Sequence, residues 1–366
     1  PTRTRYPLLM DLAAMRAAAR LGRWLGPWTP EDAVPHRVHR RAVPVPPRAP
    51  GERPFEAWVY RPLDRPPTGA LLVVPGLHYL GPADPRLDRF CRVLADAGIL
   101  VLCPFLPDFS TMRVEPTLGP DAERAFDALL GLPELPRRRR PGVFSISFGC
   151  YPAIQLAARR EEVGQLMLFG GYADFRDTLR FCVGGDGERA HDPLNMCVVF
   201  LNLLEHLEVK DPGALTEAWL EYVRRTWGRP HMKAPEAHAP LARALAARLP
   251  DRDLFLETTG VEGDAPALLE SLLPPAAERI ARLETLRFAP EVRCPAVVAH
   301  GRDDDVIPWE HAERLAGALP NARRYVTGMY AHTGQSGLRE LLPQARDEAR
   351  AMLGILGAMA GAAHQP

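Results

Sequence analysis

From residue 55 onward, short continuous apolar runs alternate with stretches whose apolar positions recur every three or four residues. "FEAWVYRP" alternates as an early strand does, and "GALLVVPG" is an unbroken apolar run ending at Pro75-Gly76, the pattern of a strand covered on both faces. "PRLDRFCRVLADAG" then has helical spacing and stops at Gly98, where a C-terminal glycine belongs. The alternation continues with strand "ILVLCPF", a helix over 120–131, strand "PGVFSI", helix "FGCYPAIQLAARR" and strand "VGQLMLFGG". From about 172 to 290 the pattern is helical only, as in "NMCVVFLNLLEHLE" and "PALLESLLPPAAERIARLETL"; strand "CPAVVAHG", helix "PWEHAERLAGAL", strand "ARRYVTG" and a helix from 337 to about 360 follow. Strands alternating with helices predict an α/β fold, a doubly wound and mainly parallel sheet. The predicted organisation is a core of residues 51–171 and 291–366, a helical cap over 172–290, and an N-terminal arm over 1–50.

The arm differs in charge. It holds nine arginines against three acids, with Leu8, Leu12, Met15, Leu21, Trp24, Leu25 and Trp28 at mostly helical spacing, followed by the Pro-rich "VPVPPRAPGERP", read as a stiff connector. A basic amphipathic helix can rest on an anionic membrane surface; packing on its own domain is the reading taken here. The run Arg137 to Arg140 reads as a solvated loop before a strand rather than an anion patch.

Over the whole chain, 45 basic residues balance 45 acidic ones, so nothing favours a nucleic-acid partner. The six cysteines are scattered through apolar runs, which suggests buried, reduced thiols and a reducing compartment. With no run of about 20 apolar residues and no secretory h-region, the expected location is the cytoplasm.

The chemistry centres on "SISFG". A serine hydroxyl needs a base within reach and an acid to orient it. Ser147 follows a strand and precedes a helix, a sharp turn that demands small residues two positions to either side. Those positions hold Ser145, where glycine is usual, and Gly149. The loop "HGRDDDVIP" leaves a later strand and offers Asp304, with Asp303 and Asp305 as neighbours that could serve instead. His332 lies in the loop "YAHTG" after the last strand, whereas His311, His300 and His364 sit on a helix, a strand and the tail, the last expected to fray. His78 is read as a wall of the pocket and Asp108 as a loop-ordering group.

Taken together, "VVPGLHYLG", "SISFG", "GRDDDVIP" and "YAHTG" resemble, in order, the oxyanion loop, nucleophile elbow, acid loop and histidine loop of the α/β-hydrolase superfamily, over roughly residues 55–355. The resemblance implies a serine hydrolase that cleaves a carboxylic ester or related acyl substrate through an acyl-enzyme. Ser147 would be the nucleophile, His332 the base and Asp304 its orienting acid, with the backbone N–H groups of Leu77 and Phe148 as oxyanion donors. The alternatives are acyl transfer or lyase chemistry with the same triad, and a non-catalytic ligand-binding homologue. An apolar small-molecule substrate is expected and no cofactor; His191, His206, His231 and His238 lack metal-ligand spacing.

Overall fold

The computed structural model describes residues 12–26, 28–30, 32–187, 189, 191–328, 330–331, 334–335 and 345–365. Its centre is an eight-stranded sheet built from β1 (Val38–Val45), β2 (Phe55–Pro62), β3 (Gly69–Val74), β4 (Ile99–Pro104), β5 (Gly142–Ile146), β6 (Leu166–Phe169), β7 (Ala296–Gly301) and β8 (Ala322–Thr327). The order is β1-β2-β4-β3-β5-β6-β7-β8. β2 runs antiparallel to β1 and to β4, and every later pairing is parallel.

All six residues of β3 are buried, and the strand divides cleanly between two cores. Ala70, Leu72 and Val74 face one apolar cluster while Leu71 and Val73 face the other, because successive side chains leave a strand on opposite sides. On the second face lie α1 (Leu12–Leu25), α2 (Pro85–Asp96) and, nearest the end of the chain, a long helix Ala345–Ala363. The short α3 (Pro107–Ser110) follows β4, and α4 (Leu118–Leu130) and α5 (Cys150–Arg159) cover the first face.

Between β6 and β7 the described residues form no strand. They form α6 (Phe175–Gly184), α7 (Met196–Asn202), α8 (Pro212–Thr226), α9 (Pro235–Ala246), α10 (Arg252–Thr258), α11 (Ala265–Leu272) and α12 (Ala277–Arg282), joined by 3₁₀ turns. The long pattern expected over "PALLESLLPPAAERIARLETL" divides into α11 and α12 around Pro274-Pro275, since proline removes a helix donor and crowds the preceding turn. After β7 comes α13 (His311–Ala318), and the helix Ala345–Ala363 is α14; the part of the expected final helix over 337–344 lies outside the described residues.

The N-terminal arm requires a correction. The connector read over 43–54 does not begin at Val43: residues 38–45 form β1, paired along its whole length with β2 from Val38 with Pro62 to Val45 with Phe55. Pro44 is tolerated because β1 is the edge strand, and its exposed ring costs the sheet no needed donor. The Arg40 and Arg41 side chains reach acids beyond the strand, Asp88 and Glu134. The helical part packs on its own domain, but of the expected apolar positions Leu12, Met15 and Trp28 are exposed and Leu8 lies outside the described residues. Ala14, Ala17, Leu21 and Leu25 of α1 are buried against the α14 side of the sheet, and the Trp24 indole donates to Asp96 Oδ2 at 2.9 Å.

The tail is also held. His364 is 5% exposed, with Nε2 2.9 Å from Thr68 Oγ1, and the Arg140 N–H donates to Gln365 O at 3.0 Å. The fraying expected there does not occur, because the last two arginines of the 137–140 loop tie the terminus down; Arg137 and Arg138 stay exposed. No helix among the described residues is long and apolar enough to cross a membrane.

Candidate active site

Ser147 is one of two non-glycine residues with positive φ among the described residues, at φ 52°. A side chain in that region carries strain of about 1–3 kcal/mol, so the surrounding packing must impose it. The constraint is visible on both sides. A Cβ placed on Gly149 would lie 2.4 Å from Pro75 O and 3.0 Å from Val74 O, so any larger residue would strike the backbone leaving β3. Gly76 lies just as close to the turn: its Cβ would sit 3.3 Å from the Ser147 Cβ and from Ile146 O. The end of β3 is thereby pressed against the end of β5, two strands already in register at Val74 and Ser145. Ser145 is fully buried between β3 and β6, and its Oγ has no hydrogen-bond partner.

Ser147 is 5% exposed and opens onto a cavity of about 580 Å³. Gly76, Leu77, His78 and Phe148 line the same cavity, so the two segments expected to meet do so. Its opposite walls come from the helical segment through Phe175, Leu179, Val198 and Trp227, and from α14. Helix α5 begins directly beyond the serine turn, and its first backbone N–H groups and aligned peptide dipoles favour negative charge at that end.

The aspartate loop has one buried member of its three. Asp304 is 3% exposed; its Oδ1 accepts from the Val306 and Ile307 N–H groups at 2.9 and 2.8 Å, and its Oδ2 lies 3.1 Å from His300 Nε2. Asp303 is exposed. Asp305 is turned toward Lys233, which contacts its Oδ2 and lies 3.0 Å from Asp192 Oδ2. Burial pushes the Lys233 ammonium down, but the two carboxylates outweigh it and hold it above the ordinary lysine value. Val306, two residues past Asp304, lines the cavity.

His332 lies outside the described residues. Of three other histidines, His300 sits beside Asp304 and the other two are engaged away from it. His311 is buried with Nδ1 accepting from the Ala173 N–H at 3.0 Å, and burial, then the Arg314 guanidinium, pushes it down to about 4. His300 has no exposed surface, and its Nε2 is 2.9 Å from Ile307 O. His364 is at the far end of the sheet, against Thr68. Asp108 orders its loop as expected, accepting from Thr117 Oγ1 and Arg53.

Two features had no signal strong enough to be read from the residues alone. One is the Lys233 bridge between the helical segment and the aspartate loop, whose members are 72 residues apart. The other is a pairing of His78 with Asp84, for which the only clue was an aspartate placed before Pro85 at a helix start.

A mostly parallel sheet with a strained serine turn after its fifth strand gives the chain the α/β-hydrolase fold. No family model and no curated protein matches it. Among solved structures it is similar to the Pyrococcus horikoshii acylaminoacyl peptidase, at 13% identity and a TM-score of 0.47, over 87% of this chain and 39% of that one. It is similar also to a Mycobacterium tuberculosis puromycin-hydrolyzing peptidase, at 15% identity and a TM-score of 0.48, over 87% of this chain and 38% of that one. A third is the 2,6-dihydroxy-pseudo-oxynicotine hydrolase, at 15% identity and a TM-score of 0.46, over 87% of this chain and 68% of that one. The chain spans about 40% of the length of the acylaminoacyl peptidase structures it matches.

Proposed function

We propose that the protein is a serine hydrolase that cleaves a carboxylic ester or related acyl substrate through an acyl-enzyme intermediate. The observation that carries this reading is Ser147 itself, held at positive φ on a turn that packing enforces and facing a half-open, largely apolar cavity. Strain at one serine in a cleft has a ready use: it lifts the hydroxyl clear of the sheet toward a bound carbonyl.

In this mechanism His332 takes the Ser147 proton as the hydroxyl oxygen attacks the acyl carbon. The oxyanion formed accepts from the N–H groups of Leu77 and Phe148. As the tetrahedral intermediate collapses, His332 returns the proton to the leaving alcohol. Water then repeats the sequence on the acyl-enzyme and frees the acid. Asp304 orients the imidazole and stabilises its charged form. The helical segment over 172–290 acts as a lid, and Phe148, Phe175 and Trp227 favour an apolar group on the substrate.

A fluorophosphonate probe and a panel of p-nitrophenyl esters test the proposal. Adduct formation at Ser147 with turnover of short or medium esters is the expected result, and Ser147→Ala removes the adduct and lowers kcat on the order of 10⁶-fold. Folded protein that neither labels nor turns over any ester would overturn it. Labelling without hydrolysis would favour transfer to another acceptor.

A further inference from the structure

We propose that His78 is the positioning residue of the loop that presents the Leu77 N–H, setting that amide through a ring that accepts a hydrogen bond from the loop at one nitrogen and rests against the Asp84 carboxylate at the other. The inference rests on the serine-hydrolase reading above and adds to it a residue that never touches the reacting atoms.

An amide that stabilises an oxyanion must be aimed before charge develops, because reorienting it during the reaction would consume the advantage. Residues 75–80 leave β3 as an irregular segment, so regular hydrogen bonding cannot aim it. On the Gly76 side, contact with the serine turn fixes the path. On the other side the next side chain is His78. Its Nδ1 accepts from the Leu80 N–H at 3.2 Å, which requires the proton to be on Nε2, and Nε2 lies 3.2 Å from Asp84 Oδ2. Asp84 is itself immobilised: Oδ1 accepts from the Arg86 N–H at 2.8 Å at the start of α2, and Arg86 Nη2 donates to Oδ2 at 2.8 Å. The backbone closes the same unit, with the Gly81 N–H donating to His78 O at 3.0 Å and the Asp84 N–H to Gly81 O at 3.1 Å.

The ring is therefore a strut from the loop to the N-terminus of a helix. Burial pulls its pKa below the ordinary histidine value, which agrees with the neutral ring that an accepting Nδ1 requires. Nδ1 is taken by the Leu80 N–H and Nε2 lies beside the Asp84 carboxylate, so both nitrogens face the loop and the helix start. Its faces are occupied as well, stacked on Tyr79 at 4.7 Å between centroids and tilted against Trp227 of the helical segment at 5.7 Å. His78 also lines the cavity beside Ser147, so a simple wall role makes a competing expectation that experiment separates. A wall residue changes substrate affinity, whereas a strut for an oxyanion donor changes the rate of acylation.

The decisive comparison uses His78→Phe, which keeps a ring between Tyr79 and Trp227 but removes the Leu80 bond and the Asp84 contact, beside His78→Asn, whose amide oxygen can replace Nδ1 as the acceptor for Leu80. The full chain is assayed with p-nitrophenyl butyrate and with the fluorophosphonate. His78→Phe is expected to lower kcat about 10–100-fold with KM within about threefold, and to slow labelling of Ser147 by the same factor, a displaced donor costing less than the ~10²–10³ of a deleted one. His78→Asn is expected to recover at least half of that loss on a logarithmic scale. Wild-type turnover matched by His78→Phe, or a change confined to KM, overturns the positioning role while leaving the serine-hydrolase reading intact. A wild-type protein that neither labels nor turns over removes both together.

Discussion

Ser147 shows how a single backbone angle can be read as chemistry. Its φ of 52° is disfavoured for a residue with a Cβ, and the fold holds it there with two close backbone approaches, at Gly149 and Gly76. Ser147→Gly is therefore expected to stabilise the protein by about 1 kcal/mol in urea unfolding, the strain released being offset in part by glycine's extra unfolded-state freedom. If that substitution instead destabilises, the strained conformation is not what the folded protein holds. Position 145 was legible only in part: a small residue was required there, and serine fits, but nothing in the sequence indicated that its hydroxyl would be buried without a partner. Asp304 was one of three adjacent aspartates, and local pattern does not distinguish them; burial and the two backbone donors do.

At the scale of elements, contacts between them determine stability more than any one helix does. α1 packs on its own domain through Ala14, Ala17, Leu21 and Leu25, which lie with α14 in one apolar cluster, while Leu12, Met15 and Trp28 of the expected stripe stay exposed. Leu21 has no exposed surface, so Leu21→Ala is expected to cost about 2–4 kcal/mol, whereas Leu12→Ala, at a position 57% exposed, is expected to change stability by less than about 0.5 kcal/mol. Thermal unfolding of the two variants makes the comparison. α13 is tied to the start of the helical segment by His311, whose neutral Nδ1 accepts from Ala173. Its folded pKa of about 4 lies below the unfolded value near 6.5, so the folded state binds fewer protons in that interval. The contribution of this group, about 3 kcal/mol, is thus fully present above pH 6.5 and is lost as pH falls toward 4. Urea unfolding at pH 7 and pH 4.5 checks it: His311→Gln is expected to flatten the acid-side decline, and a decline of unchanged size would assign it to other groups.

For the molecule as a whole, one charged cluster at the junction between the helical segment and the sheet lies next to the cavity. Lys233 bridges Asp192 of the segment and Asp305 of the loop after β7, and the Asp192 N–H donates to Asp305 O at 2.8 Å. Removing the cation leaves two carboxylates, Asp192 buried and Asp305 partly buried, without their shared partner. Lys233→Met is expected to cost about 2 kcal/mol, less than a fully buried pair because solvent still reaches Lys233 and Asp305, and to lower kcat/KM for esters, while Lys233→Arg retains most of both. Equal stability of all three proteins would show that the cluster does not hold the segment in place.

What the sequence determined by itself was everything local: the alternation of strand and helix, the serine turn with its small flanking residues, the loop carrying Asp304, and the helical character of 172–290. Each is written in periods of two or 3.6 residues or in the stereochemistry of one turn, so neighbours along the chain suffice to show it. Tertiary structure alone decided that residues 38–45 close the sheet edge as β1, since an edge strand with two arginines and a proline has no periodic signature. It alone decided that the tail docks on Thr68, that Lys233 finds Asp305, and that His78 braces against Asp84. The physical reason is common to them all: a pairing between distant polar groups depends on where two elements are carried by apolar packing, and that packing is a property of the assembled core rather than of any segment in it.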